Sequence, residues 1–356
     1  MSVVIITGSC GLVGSEAARH FAGLGHEIVG IDNDMRARFF GQTASTAWNR
    51  AELERDLGSG YSHFELDIRD REGLAALLIR YGSNTHAIIH AAAQPSHDWA
   101  AKEPLTDFDV NAGGTMNLLE ATRQAAPEAP FIFCSTNKVY GDRPNALPLI
   151  EHEIRLELPE DHPFYPGIDE TMSIDSCLHS LFGVSKLAGD LMVQEYGRYF
   201  GMPTCVFRGG TLTGPAHSAT ELHGFLGYVM RCAITATPYV IYGYGGKQVR
   251  DAIHSRDLVR AFELFADEPR VGEIYNIGGG RTSNASVLEA IELAEQISGR
   301  TIERSYDETN RIGDHRWWIG SNAHFQSHYP GWRVETTLEQ IMHEIHDQAS
   351  DRWAGR

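Results

Sequence analysis

The sequence has few of the features that mark secreted, membrane-spanning or metal-binding proteins. Its five cysteines form no C-x-x-C pair, which favours a reducing cytoplasm over a disulfide framework. No apolar run is long enough to span a bilayer, and the apolar N-terminus has neither the length nor the basic flank of a signal peptide. The 17 histidines show no H-E-x-x-H or comparable spacing, so we expect no bound metal.

Positive charge is also scarce. The formal net charge of −17 argues against nucleic acid or an anionic membrane as a partner. An acidic protein of this kind has to bind an anionic ligand through local N–H groups and a few arginines. The 356 residues are enough for one large domain or two smaller ones with a substantial core. Composition and charge are therefore those of a soluble enzyme.

Glycine, in contrast, recurs where the backbone must turn sharply. A run of β-branched apolar residues at 3–7 predicts a buried strand, and the apolar spacing after Gly14 predicts a helix. The glycines between them follow the pattern G-x-x-G-x-x-G, which lets the backbone turn sharply and present helix N-terminal N–H groups to phosphates. A chance glycine turn is the alternative. We expect a dinucleotide pyrophosphate to bind at Gly8, Gly11, Leu12, Val13 and Gly14.

The end of the second predicted strand indicates which dinucleotide binds. Asp32 lies about 20 residues after the glycines, where an acid bonds the hydroxyls of the adenosine ribose. A carboxylate there disfavours a 2′-phosphate, so NAD is predicted rather than NADP, although Arg36 lies nearby. Asn33 is assigned to the same cofactor site.

The ends of later predicted strands supply further cofactor contacts. Asp67 and Ile68 follow the third strand, where the carboxylate either holds the adenine amino group or caps the next helix. Asn111 either caps a helix or fixes the backbone near the active site, and Ser135 ends a later strand. The small residues that end the fourth strand let the backbone approach the cofactor closely; they are Ala91, Ala92 and Ala93.

Four alternations of strand and helix before residue 142 predict an α/β protein with a parallel, doubly wound sheet, the Rossmann fold. In such a sheet the ligand binds at the carboxyl ends of the strands. From Arg143 to Ser180 the periodicity weakens into a stretch rich in proline, glutamate and histidine. A loop of this length in a compact domain typically serves as a lid or a binding loop.

Three segments resemble one known family. They are the turn at 8–14, the strand end Ser135-Thr136-Asn137-Lys138-Val139-Tyr140-Gly141-Asp142, and the helical segment at 181–193. Together they resemble the extended short-chain dehydrogenase/reductase superfamily, specifically its nucleotide-sugar epimerases and dehydratases, over nearly the whole chain. The segment 135–142 and the insertion after it look most like the CDP-paratose (CDP-tyvelose) 2-epimerases.

The resemblance implies a catalytic set that the sequence supplies only in part. The family has a Ser or Thr at the place of Thr136 and a Tyr-x-x-x-Lys on the following helix. Lys186 matches the lysine, whereas Phe182 stands in the tyrosine slot. A tyrosine hydroxyl beside an ammonium can act as a base near neutral pH, but phenylalanine has no proton to exchange.

Phe182 is open to three interpretations. In the first, the enzyme is active and another group takes the proton: Lys186 directly or through water, Lys138, Tyr140 or His179. In the second, the chain binds the cofactor without turnover. In the third, the phenylalanine is an introduced substitution.

The resemblance also implies residues that bind the nucleotide sugar. Arg250 begins the family pattern Arg-Asp-x-x-His-x-x-Asp and suits the diphosphate as a bidentate partner; an ion pair with Asp251 or Asp257 is the alternative. Asp257 is expected to cap the helix from residue 258. Arg311 lies where relatives place a second diphosphate arginine, with a surface role as the alternative. The remaining substrate contacts are assigned to Gln94, Thr136 and Asn137.

These expectations combine into an NAD-dependent nucleotide-sugar epimerase that oxidises a sugar carbon transiently and then re-reduces it on the opposite face. A 4,6-dehydratase is disfavoured because Asn137 stands where those enzymes usually carry an acid. Two more functions stay open: a net dehydrogenase, and a protein that binds NAD without any turnover.

The remaining expectations concern organisation. The resemblance implies a homodimer, and the cysteine content implies a cytoplasmic location. We assign residues 1–210 and about 251–280 to the NAD-binding domain, and about 211–250 and 281–356 to a smaller, interleaved substrate domain.

Overall fold

A computed structural model describes residues 2–221, 223–310 and 313–354. The chain folds into two compact units, each assembled from separate stretches. The first contains the residues up to Val139, Leu181–Arg208 and Leu258–Tyr275, and the second contains Tyr140–Ser180, Gly209–Asp257 and the residues from Asn276 onward.

Strands and helices alternate through much of the chain. The strands are β1 (Val3–Thr7), β2 (Glu27–Ile31), β3 (Tyr61–Phe64), β4 (Thr85–His90), β5 (Phe131–Thr136), β6 (Ile150–Glu151), β7 (Leu156–Glu157), β8 (Thr204–Gly209), β9 (Thr211–Thr213), β10 (Tyr239–Tyr242), β11 (Val249–His254), β12 (Glu273–Ile277), β13 (Asn284–Ser286), β14 (Arg304–Asp307) and β15 (Trp317–Trp318). The α-helices are α1 (Leu12–Gly23), α2 (Met35–Phe40), α3 (Ala47–Leu57), α4 (Arg71–Tyr81), α5 (His97–Lys102), α6 (Pro104–Phe108), α7 (Gly114–Ala125), α8 (Ser180–Phe200), α9 (Phe225–Thr235), α10 (Ser255–Asp267), α11 (Val287–Ser298), α12 (Ala323–His328) and α13 (Leu338–Ala354). Among the described residues, no helix combines the length and the apolar character needed to cross a membrane.

The first unit is built on a sheet whose strand order reverses near its middle. The order is β12-β8-β5-β4-β1-β2-β3, and the strands from β5 to β3 pair in parallel. β1 lies between β2 and β4, so the connections run outward from it in both directions. Ligands of open α/β sheets bind at such a switch point, outside the carboxyl ends of the strands. The predicted doubly wound Rossmann fold is confirmed.

The central strands are apolar because helices cover both faces of a parallel sheet. All five residues of β1 are buried, and Ile5 joins Phe133 of β5 in one core cluster. Helices α4 and α7 add Leu74 and Leu118 to the same cluster. Burial of this apolar surface fixes the strands, and with them the polar residues at their carboxyl ends.

The second unit contains smaller sheets and a separate apolar core. β11 pairs with β13, β15 and β9, while β10 pairs with β14 in parallel. Helices α9, α11 and α13 supply Met230, Ile291 and Ile345 to the core of this unit.

Four stretches that we assigned to the NAD-binding domain lie in the second unit, namely residues 140–180, 209–210, 251–257 and 276–280. Residues 140–180 belong to the second unit, where the Ile168 N–H donates to the Ile319 carbonyl (2.7 Å) and the Ser321 N–H donates to the Ile168 carbonyl (2.8 Å). Residues 251–257 also lie there, since β11 pairs with β9 and β13. Such pairings join segments that are distant in sequence, so local periodicity does not reveal them.

The prediction that Asp257 caps a helix from residue 258 is wrong. Helix α10 begins at Ser255, so Asp257 lies within its first turn. The Asp257 carboxylate instead accepts hydrogen bonds from the backbone N–H groups of Glu335 (3.1 Å) and Thr336 (2.9 Å). It therefore joins α10 to the segment that precedes α13.

Two glycines of α1 provide a matched test of packing. A Cβ at Gly14 would lie 2.1 Å from the Gly8 carbonyl oxygen, whereas a Cβ at Gly23 would meet nothing within 4 Å. Gly14→Ala should therefore lower the free energy of unfolding by about 1–3 kcal/mol through overpacking. Gly23→Ala should leave it unchanged or raise it slightly. Denaturant titration of both variants checks this, and an unchanged midpoint for Gly14→Ala would contradict the close packing.

Candidate functional site

The turn after β1 is shaped by glycine at each point where a side chain would collide. Gly8 has φ of +68°, and a Cβ there would lie 2.7 Å from the backbone nitrogen of Ala92. The Gly11 N–H donates to the Gly8 carbonyl at 3.0 Å, which closes the turn. The backbone therefore passes close to the end of β4 with no side chain between them.

Helix α1 begins directly after this turn. Its N-cap is Gly11, which has no side chain with which to satisfy the first N–H groups of the helix. Those N–H groups and the positive end of the helix dipole favour an anion at this point. The predicted residues Gly8, Gly11, Leu12, Val13 and Gly14 thus form one cradle of the kind that a dinucleotide pyrophosphate requires.

Asp32 joins the glycine-rich turn to the end of β2. Its carboxylate accepts hydrogen bonds from the backbone N–H groups of Cys10 (3.0 Å) and Asp34 (2.8 Å). Burial raises the pKa of Asp32 above its usual range, although these hydrogen bonds partly oppose the shift. A buried carboxylate is stabilised further when hydroxyl groups, such as those of a ribose, donate hydrogen bonds to it.

Asp67 lies beside Asn33 and is not a helix cap. Asn33 donates to the Asp67 carboxylate at 3.0 Å, and Arg69 donates to it at 2.6 Å. The hydrogen bonds from Arg69 lower the pKa of Asp67. Helix α4 is capped instead by Asp70, whose side chain accepts from the Gly73 N–H at 3.0 Å. Ile68, which follows Asp67, is buried.

A buried polar network holds the backbone after β4. Asn111 lies in a π-helical turn, accepts from the Gln94 N–H (2.9 Å) and donates to the Gln94 carbonyl (3.0 Å). Of the two interpretations of Asn111, the structure therefore supports the one in which it fixes the backbone. Asp107, which the sequence did not single out, accepts from the side chains of Gln94 (2.6 Å) and Asn111 (3.0 Å). Burial raises the pKa of Asp107.

Ser135 contacts a buried ion pair. Its hydroxyl donates to Asp190 at 2.7 Å, and Asp190 forms an ion pair with Arg208 at 2.8 Å. Thr136, at the end of β5, accepts from the Lys138 N–H at 3.2 Å. Asn137 lies 3.4 Å from the Thr136 hydroxyl. Thr136 and Lys138 keep partly exposed side chains, whereas Asn137 is buried.

Lys186 of α8 lies beside the end of β5. Its Nζ donates to the Cys134 carbonyl at 2.8 Å and lies 4.2 Å from the centroid of the Phe133 ring. Burial lowers the pKa of Lys186 to about 8, because an ammonium loses its hydration there. Lys186 therefore loses its proton closer to neutral pH than a solvent-exposed lysine does.

Phe182 packs against an imidazole. Its ring lies edge-on to that of His97, with centroids 4.9 Å apart and planes at 66°. Sequence reasoning did not identify His97. The sequence feature that could have indicated His97 is the residue before it, Ser96, which is a typical helix N-cap. Its hydroxyl accepts from the Trp99 N–H at 3.2 Å, which places His97 at the first position of α5.

Two of the candidate bases lie in the second unit, where other groups hold them. Tyr140 is 0% exposed, and its hydroxyl donates to the side-chain oxygen of Asn276 at 2.8 Å. Nε2 of His179 lies 2.8 Å from the Ile174 carbonyl oxygen and 3.4 Å from the Cys177 sulfur. Neither the Tyr140 hydroxyl nor Nε2 of His179 is placed to exchange a proton without breaking these contacts.

Arg250 forms an ion pair, but with neither of the acids proposed for it. Its Nη2 lies 2.7 Å from a carboxylate oxygen of Asp314. Asp251 is fully buried and accepts from the Gly320 N–H at 2.9 Å, and burial raises the pKa of Asp251 to about 7. The alternative for Arg250, an ion pair with Asp251 or Asp257, is therefore not formed; both carboxylates accept hydrogen bonds from backbone N–H groups instead. Arg311 lies outside the described residues.

Sequence comparisons match most of this chain to one family and to its characterised members. A sequence model described as the NAD dependent epimerase/dehydratase family matches residues 4–278. A CDP-paratose 2-epimerase from Salmonella typhi is 34% identical over 82% of this chain and 83% of its own. A dTDP-glucose 4,6-dehydratase from Escherichia coli is 28% identical over 94% of this chain and 89% of its own.

Solved structures agree on the fold. The UDP-glucose 4-epimerase of Thermus thermophilus, solved in complex with NAD, has a TM-score of 0.76 at 24% identity and covers 97% of this chain and 98% of its own. The UDP-glucose 4-epimerase of Bifidobacterium longum, in complex with NAD+ and UDP, has a TM-score of 0.80 at 20% identity and covers 100% of both chains.

The match to the family extends over most of the sequence, and it includes the glycine-rich turn, Thr136 and Lys186. The predicted resemblance to nucleotide-sugar epimerases and dehydratases is confirmed. The family description also confirms NAD as the cofactor. The chain belongs to the NAD dependent epimerase/dehydratase family.

Proposed function

We propose that this chain is an epimerase that acts on a nucleotide-activated sugar. The observation that carries the proposal is the position of Lys186, whose buried Nζ is bound to the Cys134 carbonyl at the end of β5, two residues before Thr136. A positively charged group and a hydroxyl are thereby held at the carboxyl end of a strand, in the unit that also contains the dinucleotide cradle. This is the arrangement that redox chemistry on a sugar hydroxyl requires.

We further propose that the substrate is a CDP-sugar and that the enzyme inverts its second carbon. The support is the 34% identity to a relative named CDP-paratose 2-epimerase, which spans 82% of the chain. We assign cofactor binding to the first unit and nucleotide-sugar binding to the second, where Arg250 offers a guanidinium to the diphosphate. A cytoplasmic homodimer remains our expectation for the assembled enzyme.

Bound NAD would supply the acceptor, and then the donor, of the hydride at the reacting sugar carbon. The residues of the chain perform the other parts of the reaction. The glycine-rich turn and the first N–H groups of α1 would hold the pyrophosphate, and Asp32 would accept hydrogen bonds from the adenosine ribose. Thr136 hydrogen-bonds the reacting sugar hydroxyl. Lys186 would donate to the nicotinamide ribose and would add positive charge where the hydroxyl loses its proton.

One observation favours a second candidate, a protein that binds NAD and nucleotide sugar without turnover. Phe182 cannot take a proton, and its ring is 7% exposed. The dehydratase alternative is weaker, because Asn137 is a neutral, buried side chain in the place where an acid is usual.

The proposal is tested by incubating the NAD-loaded protein with a panel of CDP-, UDP-, GDP- and dTDP-sugars. We expect an inverted CDP-sugar in the NMR spectrum, with the migrating hydrogen retained from the substrate, and a small transient absorbance near 340 nm. Binding without product would favour the silent protein. A dehydrated keto sugar as the released product would favour the dehydratase.

The role of Arg250 is tested by binding of CDP. Arg250→Gln should weaken CDP binding by about 10- to 100-fold, because hydrogen bonds to charged groups contribute about 1.5–3 kcal/mol. Arg256→Gln is the matched control, since Arg256 is 48% exposed at its side chain and pairs with Glu344. Titration calorimetry measures both variants, and equal affinities would remove Arg250 from the diphosphate site.

The low pKa of Lys186 can be tested through stability. Above about pH 8 the folded state releases the Lys186 proton, whereas the unfolded chain keeps it to about pH 10.4. The unfolded state then binds more protons, so this group makes stability rise with pH across that window, by up to ~3 kcal/mol.

The measurement compares wild type with Lys186→Met. The difference in free energy of unfolding, wild type minus variant, should increase from pH 8 to pH 10 in denaturant titrations. A difference that stays constant over this range would show that Lys186 titrates normally.

A further inference from the structure

Without a tyrosine hydroxyl, the proposed reaction lacks its usual base. The imidazole of His97, which belongs to the first unit, lies beside Phe182. The His97 ring meets the Phe182 ring edge-on at a centroid distance of 4.9 Å. Phe182 is 7% exposed, whereas His97 is partly exposed. The imidazole therefore lies next to the tyrosine slot and retains surface for a substrate.

The backbone on both sides of this contact is held by one buried network. Ser96 caps α5, and its carbonyl accepts from the Gln94 side chain at 2.9 Å. Asn111 bonds the Gln94 backbone and also donates to the Ser185 hydroxyl at 3.0 Å. Ser185 in turn donates to the Phe182 carbonyl at 3.0 Å. Asn111 thereby fixes the start of α5 and the first turn of α8 together, which fixes His97 beside Phe182.

Three of the four other candidate bases are held by specific contacts. The Tyr140 hydroxyl donates to Asn276, Nε2 of His179 lies against the Ile174 carbonyl, and Lys186 donates to the Cys134 carbonyl. Tyr140 and His179 belong to the second unit, whereas His97 and Phe182 both belong to the first, and Lys186 keeps its proton below about pH 8. A neutral imidazole accepts a proton without a helper group.

We propose that His97 is the catalytic base that replaces the tyrosine hydroxyl. The inference rests on the proposed epimerase function. The O–H bond of the reacting sugar hydroxyl breaks, and its proton passes to an imidazole nitrogen of His97. The bonding pair of the C–H bond leaves the same carbon as hydride to NAD, and the C=O bond forms. When the hydride returns to the opposite face, the imidazolium gives its proton back to the oxygen.

The test uses His97→Gln in the NAD-loaded full chain with CDP-paratose as the probe. We expect kcat to fall by about 10²- to 10⁴-fold, the usual contribution of a general base, while the affinity for CDP by calorimetry stays within about twofold of wild type. His152→Gln is the matched control because His152 is exposed on the loop between β6 and β7, and it should leave kcat unchanged.

A second variant separates loss of the base from loss of structure. Phe182→Tyr in the His97→Gln background restores a hydroxyl to the slot and should recover at least about tenfold in kcat. Recovery would show that the single variant lacked a proton acceptor. No recovery, at an unchanged melting temperature, would overturn the assignment.

A spectroscopic readout independent of turnover completes the experiment. The imidazole NMR signal that disappears in His97→Gln should shift when CDP-paratose is added to the NAD-loaded wild type, whereas the His152 signal should not. Full activity of His97→Gln, or an unshifted His97 signal, overturns the role of His97 alone. Absence of turnover by the wild type across the whole sugar panel instead overturns the proposed function, and the base with it.

Discussion

The close approach of backbone segments at the carboxyl edge of the first unit's sheet is the constraint on which the site depends. The Gly8 Cα hydrogen faces the Ala92 backbone, and the Gly14 Cα hydrogen faces the Gly8 carbonyl, at distances that admit no Cβ. This contact brings the end of β4 against the turn after β1. Asp32 then reaches the Cys10 N–H from the neighbouring strand. The cofactor cradle thus does not depend on any side chain of the catalytic set.

Behind this edge, polar groups are buried in mutually satisfied sets. Asp107, Gln94, Asn111 and Ser185 bond one another and the backbone, and Asp190 pairs with Arg208 while it accepts from Ser135. A buried polar group is tolerated when its hydrogen bonds are made, and a complete network specifies one arrangement of its members. Here the arrangement determines how α5 and α8 present His97, Phe182 and Lys186.

Phe182 has no group that can carry a proton. Lys186 keeps a buried ammonium with a lowered pKa, and Thr136 keeps a partly exposed hydroxyl. The rings of Phe182 and His97 meet at an interplanar angle of 66°. In the role proposed for it, His97 is the proton acceptor beside that ring.

The sequence alone was enough to predict the Rossmann fold, the glycine-rich turn, NAD as the cofactor and the family. These features depend on strand and helix periodicity and on residues close together in the chain. Tertiary structure decided the contacts between distant positions. It paired Arg250 with Asp314 rather than with the adjacent Asp251, bound Asp257 to the backbone near residue 335, and placed residues 140–180 in the second unit. It also brought His97 to Phe182, 85 positions apart in the numbering. No local pattern encodes such a contact, because it exists only after burial of the apolar core has assembled the sheet and its helices.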